Sequence, residues 1–148
     1  MFDEKTIQEL NYYVYMLIDP RENKPFYIGK GDKNRVFDHI SCAFTEIDNV
    51  NLKYEKIKEI IDSGHVVNHI IVAHGLKETT AYQIEASLID SFAFCGILLS
   101  NKVRGRNSVE KGLMNSDEII RLYSSLPLNS MGEDCIIINI NQKYKRGS

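Results

Sequence analysis

Arg35 and His39 stand four residues apart in a stretch of helical periodicity, so a guanidinium and an imidazole point the same way. Glu85 lies in a second such stretch, with Ala81, Tyr82, Leu88 and Ile89 as its neighbours at helical spacing, which sets a carboxylate on or beside an apolar stripe. Tyr15 and Tyr27 fall in two short strand-like runs, the second continuing into Gly29-Lys30-Gly31. Phenols and imidazoles pass protons, a guanidinium binds phosphate oxygens, and a carboxylate holds a divalent cation. Crowded together, these groups would suit the cleavage of a phosphodiester.

Each residue also has a plainer reading. A buried carboxylate without a partner is costly, so Glu85 calls for a metal ion or for a structural pairing with Arg35 or a tyrosine hydroxyl. Taken singly, Tyr15 and Tyr27 fit core aromatics with satisfied hydroxyls. Two tyrosines at facing hairpin positions beside Gly29 fit a site instead. A glycine there permits a positive backbone dihedral or a close backbone approach, and Gly29-Lys30-Gly31 could bring a phosphate to main-chain amides.

Other chemistries find little support. His65, His69 and His74 fall close together, but on an extended chain they are too far apart to share one ion, and no cysteine or carboxylate joins them. No G-x-S-x-G, G-x-G-x-x-G or nucleotide-triphosphate loop occurs. Cys42, Cys95 and Cys135 are an odd, widely spaced set that reads as buried reduced thiols.

The elements that must position these groups follow from pattern and punctuation. The run from Asn11 to Asp19, containing YYVYMLID, is rich in aromatic and β-branched residues and stops at Pro20, which predicts a strand. Pro20 to Pro25 is turn chemistry, Phe26-Tyr27-Ile28 resumes as a strand that Gly29-Lys30-Gly31 breaks, and the two strands pair as an antiparallel hairpin. A helix follows over Lys33 to Phe44, capped by Asp32, with Val36, Ile40 and Ala43 inward. A second spans Asn51 to Asp62. Val66 to Ala73, VVNHIIVA, reads as a central third strand because it is almost continuously apolar. A helix from Thr79 or Thr80 to Phe92 carries Glu85, a helix at Asp117 to Ser125 is capped by Ser116, and Cys135 to Ile140 reads as a last strand. The fold class expected is α+β: a small three-stranded, mainly antiparallel sheet flanked by helices, with residues 11–106 as the domain and residues 107–148 as a helix-strand extension that packs on it or leads to a further region. That β-rich final run suits a chain that continues or that pairs with a partner edge.

At 148 residues and 43% hydrophobic composition the chain is long enough for one packed core. No apolar stretch approaches the roughly 20 residues that span a bilayer. Asp3, Glu4 and Glu9 stand where a secretory signal needs a basic start, so the expected compartment is the cytoplasm and no membrane partner is expected. The net charge of −2 is no advertisement for nucleic acid. Local charge is more telling: Lys24, Lys30, Lys33 and Arg35 surround the second tyrosine run, and Lys102, Arg104, Arg106 and Lys111 follow Asn101.

Tyr13-Val14-Tyr15 and Tyr27-Ile28-Gly29, followed in order by Arg35, His39, Glu85 and Asn101, resemble the GIY-YIG nuclease superfamily from about Tyr13 to Gly105. The first triplet departs from the pattern at Tyr13, where glycine is usual, and the second matches it letter for letter. LIDPRENKPFYIGKGDKNRVFDH, then VAHGL with AYQIEASLID, then LSNKVRG, look like the branch that includes animal LEM-domain nucleases and a set of bacterial proteins. The resemblance implies an endonuclease cutting DNA, with RNA not excluded, by structure or weak sequence preference. It places Tyr15 and Tyr27 on the nucleophile side, Lys30 and Arg35 at the phosphate, His39 beside them, Asn101 closing the site, and Glu85 as the one carboxylate for a single Mg²⁺, with Mn²⁺ as substitute. Lys33, Lys102, Arg104 and Arg106 would contact the nucleic-acid backbone. Two readings compete: a DNA-binding module on the same fold that does not cut, and a small protein-interaction domain whose polar residues are surface or satisfied core.

Overall fold

A computed structural model describes residues 1–45, 51–101 and 112–124. The chain divides into two units, Met1–Met114 and Asn115–Ser148. In the first, the elements run α1 (Glu4–Leu10), β1 (Tyr12–Asp19), β2 (Lys24–Gly31), α2 (Arg35–Thr45), α3 (Leu52–Asp62), β3 (Asn68–Leu76) and α4 (Glu78–Phe94), and the second contains α5 (Ser116–Ser124). The expected class is what is found: α+β, with an antiparallel three-stranded sheet between helices. The expected strand at Cys135 to Ile140 lies outside the described residues.

The sheet order is β2-β1-β3, with β1 antiparallel to both neighbours. The third strand, expected at Val66 to Ala73 and found at Asn68–Leu76, is therefore an edge strand and not the central one. Its burial alternates, with Ile70 and Val72 43% and 39% exposed, because its apolar run does not have a helix over both faces. The central strand is β1, whose Tyr13, Val14, Tyr15 and Leu17 are essentially inaccessible.

Alternation along β1 separates two layers. Tyr13, Tyr15 and Leu17 face α2 and α3, packing with Val36, Ala43, Tyr54, Ile57 and Ile60. Val14, with Ile28 from β2, faces Ala81 and Ile89 of α4. The glycines of β2 serve the first layer. Gly29 is paired with Tyr15 and Gly31 with Tyr13, and a Cβ on Gly29 would lie 2.8 Å from the Tyr15 hydroxyl oxygen and 2.9 Å from both Tyr15 Cζ and Tyr27 Cε1. Gly29-Lys30-Gly31 accordingly continues β2 and does not break it; these glycines make room for tyrosine rings across the hairpin.

The hairpin end is held by charge. Asp19, 2% exposed, accepts from Arg21 Nε and Nη2 at 2.9 and 2.6 Å and lies 3.1 Å from Lys56 Nζ of α3. These cations hold its carboxyl well below the usual range, Arg21 foremost, and offset the cost of burying it.

Helix α2 starts at Arg35, two residues later than expected, because Lys33 takes a left-handed backbone with φ of 48°. Asp32 contributes its carbonyl, which accepts from Arg35 N–H at 3.1 Å. Tyr13 completes the junction: its hydroxyl donates to the Lys33 carbonyl at 3.0 Å and accepts from Val36 N–H at 3.1 Å. The residue that departs from the glycine of the first triplet thus ties the start of α2 to the central strand.

Helix α1 was not expected. Asp3 caps it, its carboxylate accepting from Thr6 N–H at 2.7 Å, and Phe2 packs edge-on against Phe37 and Tyr13. At α5 the cap is Asn115, not Ser116: Asn115 Oδ1 accepts from Glu118 N–H and Glu118 Oε2 accepts from Asn115 N–H, both at 2.9 Å. Of the cysteines, Cys42 is half-buried and Cys95 exposed, both free, so the expectation of buried thiols fails at Cys95. Among the described residues no helix is long and apolar enough to cross a membrane.

Candidate active site

On the α2/α3 face the two phenols and the imidazole form one aromatic cluster. Tyr15 pairs across the hairpin with Gly29 and Tyr27 with Leu17, so the tyrosines are diagonal neighbours, with ring centroids 6.3 Å apart. His39, one turn into α2, sets its ring 5.6 Å from Tyr15 and 5.4 Å from Tyr27. Its Nε2 shares a hydrogen bond with the Tyr15 hydroxyl. Tyr15 is 1% exposed and His39 5%.

Burial sets the electrostatics of this cluster. It pushes the Tyr15 and Tyr27 phenols up, aided by each other at Tyr15 and by the Glu85 carboxylate at both, against the pull of Arg35. It pushes the His39 imidazole down to about 3, with Lys53, Arg35 and His69 adding to the effect. At neutral pH both partners of the Tyr15–His39 bond are uncharged. A phenol O–H is a better donor than a neutral imidazole N–H, so Tyr15 donates and Nε2 accepts.

Glu85 approaches from the other side of the sheet, at the free edge of β2. Its Oε1 accepts from the Lys30 backbone N–H at 2.9 Å. Burial raises the carboxyl above its ordinary value while Lys30 and Arg35 pull it back. Asn101 grips the same edge: its Oδ1 accepts from Ile28 N–H at 3.1 Å and its Nδ2 donates to the Ile28 carbonyl at 2.7 Å. Ser100 adds two bonds to the Phe26 carbonyl, from its N–H at 2.7 Å and its hydroxyl at 2.9 Å. In an antiparallel ladder alternate residues turn their polar groups outward; on β2 these are Phe26, Ile28 and Lys30, and Ser100, Asn101 and Glu85 take up the Phe26 carbonyl, both groups of Ile28 and the Lys30 N–H. The edge is thereby blocked against pairing with another chain.

Arg35 is the common neighbour. It is exposed at the first position of α2, and its charge acts on Tyr13, Tyr15, Tyr27, His39 and Glu85. The structure thus brings Tyr15, Tyr27 and His39 into contact, with Arg35 one turn before His39 and with Glu85 and Asn101 on the adjoining β2 edge. Lys30 joins through its amide, and its charge also lowers the Glu85 carboxyl. Its ammonium lies on the α4 face, 2.8 Å from Glu78 Oε1 and 4.3 Å from the Tyr82 ring centroid. Lys33 is exposed on the turn before α2, while Lys102, Arg104 and Arg106 lie outside the described residues.

Two contributors lie outside the expected set. Lys53 of α3 holds Nζ 4.5 Å from the Tyr27 ring centroid, yet reads as one charge among several on an amphipathic helix. His69 lies across β1 from Tyr27, paired with Leu17, and its Nε2 is buried without a hydrogen-bond partner. Strand alternation could have placed it on the phenol face. His65 is exposed and bonded to Ser63, and among the described residues no group of three or more His, Cys, Asp or Glu could hold a metal.

A three-stranded antiparallel sheet flanked by helices is the architecture of the GIY-YIG class of nuclease domain. A family model for the LEM-3-like GIY-YIG domain matches residues 12–131, and the chain belongs to that family. No curated protein and no solved structure matches it. Membership implies nuclease-type activity in general and a nucleic-acid substrate.

Proposed function

We propose that this chain is a metal-dependent endonuclease that hydrolyses DNA phosphodiester bonds with structure preference or weak sequence preference. The observation that carries the reading is the cluster of Tyr15, Tyr27 and His39, with ring centroids 5.4 to 6.3 Å apart and the Tyr15 hydroxyl hydrogen-bonded to His39, one helical turn from the exposed Arg35. A scissile phosphate bound to Arg35 would lie beside that cluster, with its charge bearing on Glu85 as well.

Glu85 suits one Mg²⁺, with Mn²⁺ as substitute. Its carboxyl is half-buried and raised by burial, so a cation beside it relieves that cost. A single carboxylate suffices for an ion that retains waters and takes its remaining ligands from substrate phosphate. When bound, that ion supplies positive charge to the non-bridging oxygens.

The protein's own groups move the protons. Both phenols are held up by burial, so a standing phenolate is not what the site offers. Tyr15 can instead accept a proton from the attacking water as it passes its own to His39 Nε2, a relay in which the phenol bears little net charge. His39 is a weak base in the free protein. A phosphodiester entering against Arg35 adds negative charge that offsets the cations around the imidazole and raises its proton affinity. Arg35 meets the charge that grows on phosphorus-bound oxygens. Tyr27, beside the relay, is the second phenol able to orient the water.

Incubation with plasmid, branched DNA and RNA, each with Mg²⁺ or with EDTA, tests this. Mg²⁺-dependent cutting of DNA is expected. Binding of DNA without cutting would instead support the non-cleaving module.

A further inference from the structure

Lys53 sits where α3 meets β2. It is 8% exposed, and its Nζ lies 4.5 Å from the Tyr27 ring centroid and 4.6 Å from the Tyr54 ring centroid. Tyr27 in turn packs edge-on to His39, whose Nε2 holds the Tyr15 hydroxyl. An ammonium, an imidazole and two phenols therefore form one continuous contact from α3 through β2 and α2 to β1. A buried lysine ordinarily lays its stem along apolar surface and sends its charge to water. Here the charged end itself lies over two aromatic rings, whose quadrupoles attract it.

We propose that Lys53 is a positioning residue of this site: its ammonium fixes the Tyr27 ring and, as a second cation beside Arg35, reserves His39 Nε2 as acceptor of the Tyr15 hydrogen bond. Its catalytic consequence rests on the nuclease reading above. Among the described residues the titratable and charged groups that face His39 are Arg35 from its own helix, Lys53 from α3, His69 from β3, Tyr15 from β1 and Tyr27 from β2. Burial first, then Lys53, then Arg35, then His69 disfavour a charged imidazole. A charged His39 would donate at Nε2 and reverse its bond with Tyr15, which would close the relay.

The test is an NMR titration of the His39 ring in the full chain without metal or substrate, assigned with His39→Gln and repeated in Lys53→Met and Lys53→Arg. Lys53→Met retains much of the stem and removes the charge, so the His39 midpoint should rise by about one pH unit. Lys53→Arg should leave it near the wild-type value. Cleavage by Lys53→Met should lose about tenfold in kcat with KM little changed, with its acid limb moved up by the same step and activity largely restored in Lys53→Arg. An unmoved midpoint in Lys53→Met overturns the proposal, and so does an equal rise in both variants, which would assign the effect to packing. Should Lys53→Met not fold, Lys53→Gln is judged by the same criteria. The titration needs no activity, so the two readings fail separately: an inactive wild type with a shifted midpoint sinks the nuclease assignment, and an active wild type with an unmoved midpoint sinks only the role of Lys53.

Discussion

Tyr15 of the central strand donates its hydroxyl proton to His39 Nε2 of α2, inside a layer where burial opposes ionisation of both groups. Tyr15→Phe removes the donor and leaves a buried imidazole nitrogen unpaired. Stability should fall by about 1–3 kcal/mol in urea unfolding, and kcat by about 100-fold or more, since the relay loses its first member. Wild-type turnover in this variant would move the base function to Tyr27.

His39 gives the fold a signed pH dependence. Its folded pKa of about 3 lies below the ordinary 6.5, so above 6.5 the imidazole is neutral in both states and adds no slope. As pH falls below 6.5 the unfolded chain takes a proton that the folded one refuses, and stability declines by up to about 1.4 kcal/mol per pH unit. His69, also lowered by burial, acts in the same direction. Urea midpoints between pH 6.5 and 5, above most carboxylate titration, should show this fall, and His39→Gln should flatten it.

Gly29→Ala tests the packing that sets the two phenols. Its Cβ would meet Tyr15 and Tyr27 at 2.8 to 2.9 Å, which costs about 1–3 kcal/mol when rings must shift. Gly31→Ala meets Tyr13 first, at 3.0 Å. Both variants should melt lower than wild type, but only Gly29→Ala should lose activity beyond what its stability explains. Equal activity in the two would show that the phenol positions are not critical.

Much of this arrangement is legible in the chain itself. Aromatic and β-branched runs ended by Pro20 mark β1, and Arg35 and His39 four apart must share a helix face. What could not be read depends on neighbours distant in sequence. The apolar run of β3 suggests a central strand, but only the helix layout decides that α4 lies mostly over β1 and β2. Pro25 was the better clue, since a proline within a sheet favours an edge, and β2 is one. Gly29 and Gly31 read as strand breakers because their purpose lies on the opposite strand. Asn101, Ser100 and Lys53 reach targets through tertiary contacts that no local pattern announces.

Asn101 holds both polar groups of Ile28 at the free edge of β2. Asn101→Ala should lower stability by about 1–2 kcal/mol and speed hydrogen exchange at the Ile28 amide. Asn101→Asp retains the acceptor but sets a carboxylate against the Ile28 carbonyl, so that amide should stay protected while stability still falls. Unchanged exchange in Asn101→Ala would show that the clasp is dispensable.

Glu85→Gln is the most direct test of the central claim, because the amide oxygen can still accept from Lys30 N–H while the charge that would hold a cation is gone. The measurement is cleavage of a labelled branched DNA across a Mg²⁺ titration, beside wild type, with unfolding followed in parallel. Near-wild-type stability with a loss of about 1000-fold in kcat is expected. Wild-type cleavage by Glu85→Gln, or equal cutting by the wild-type protein in EDTA, would contradict the account.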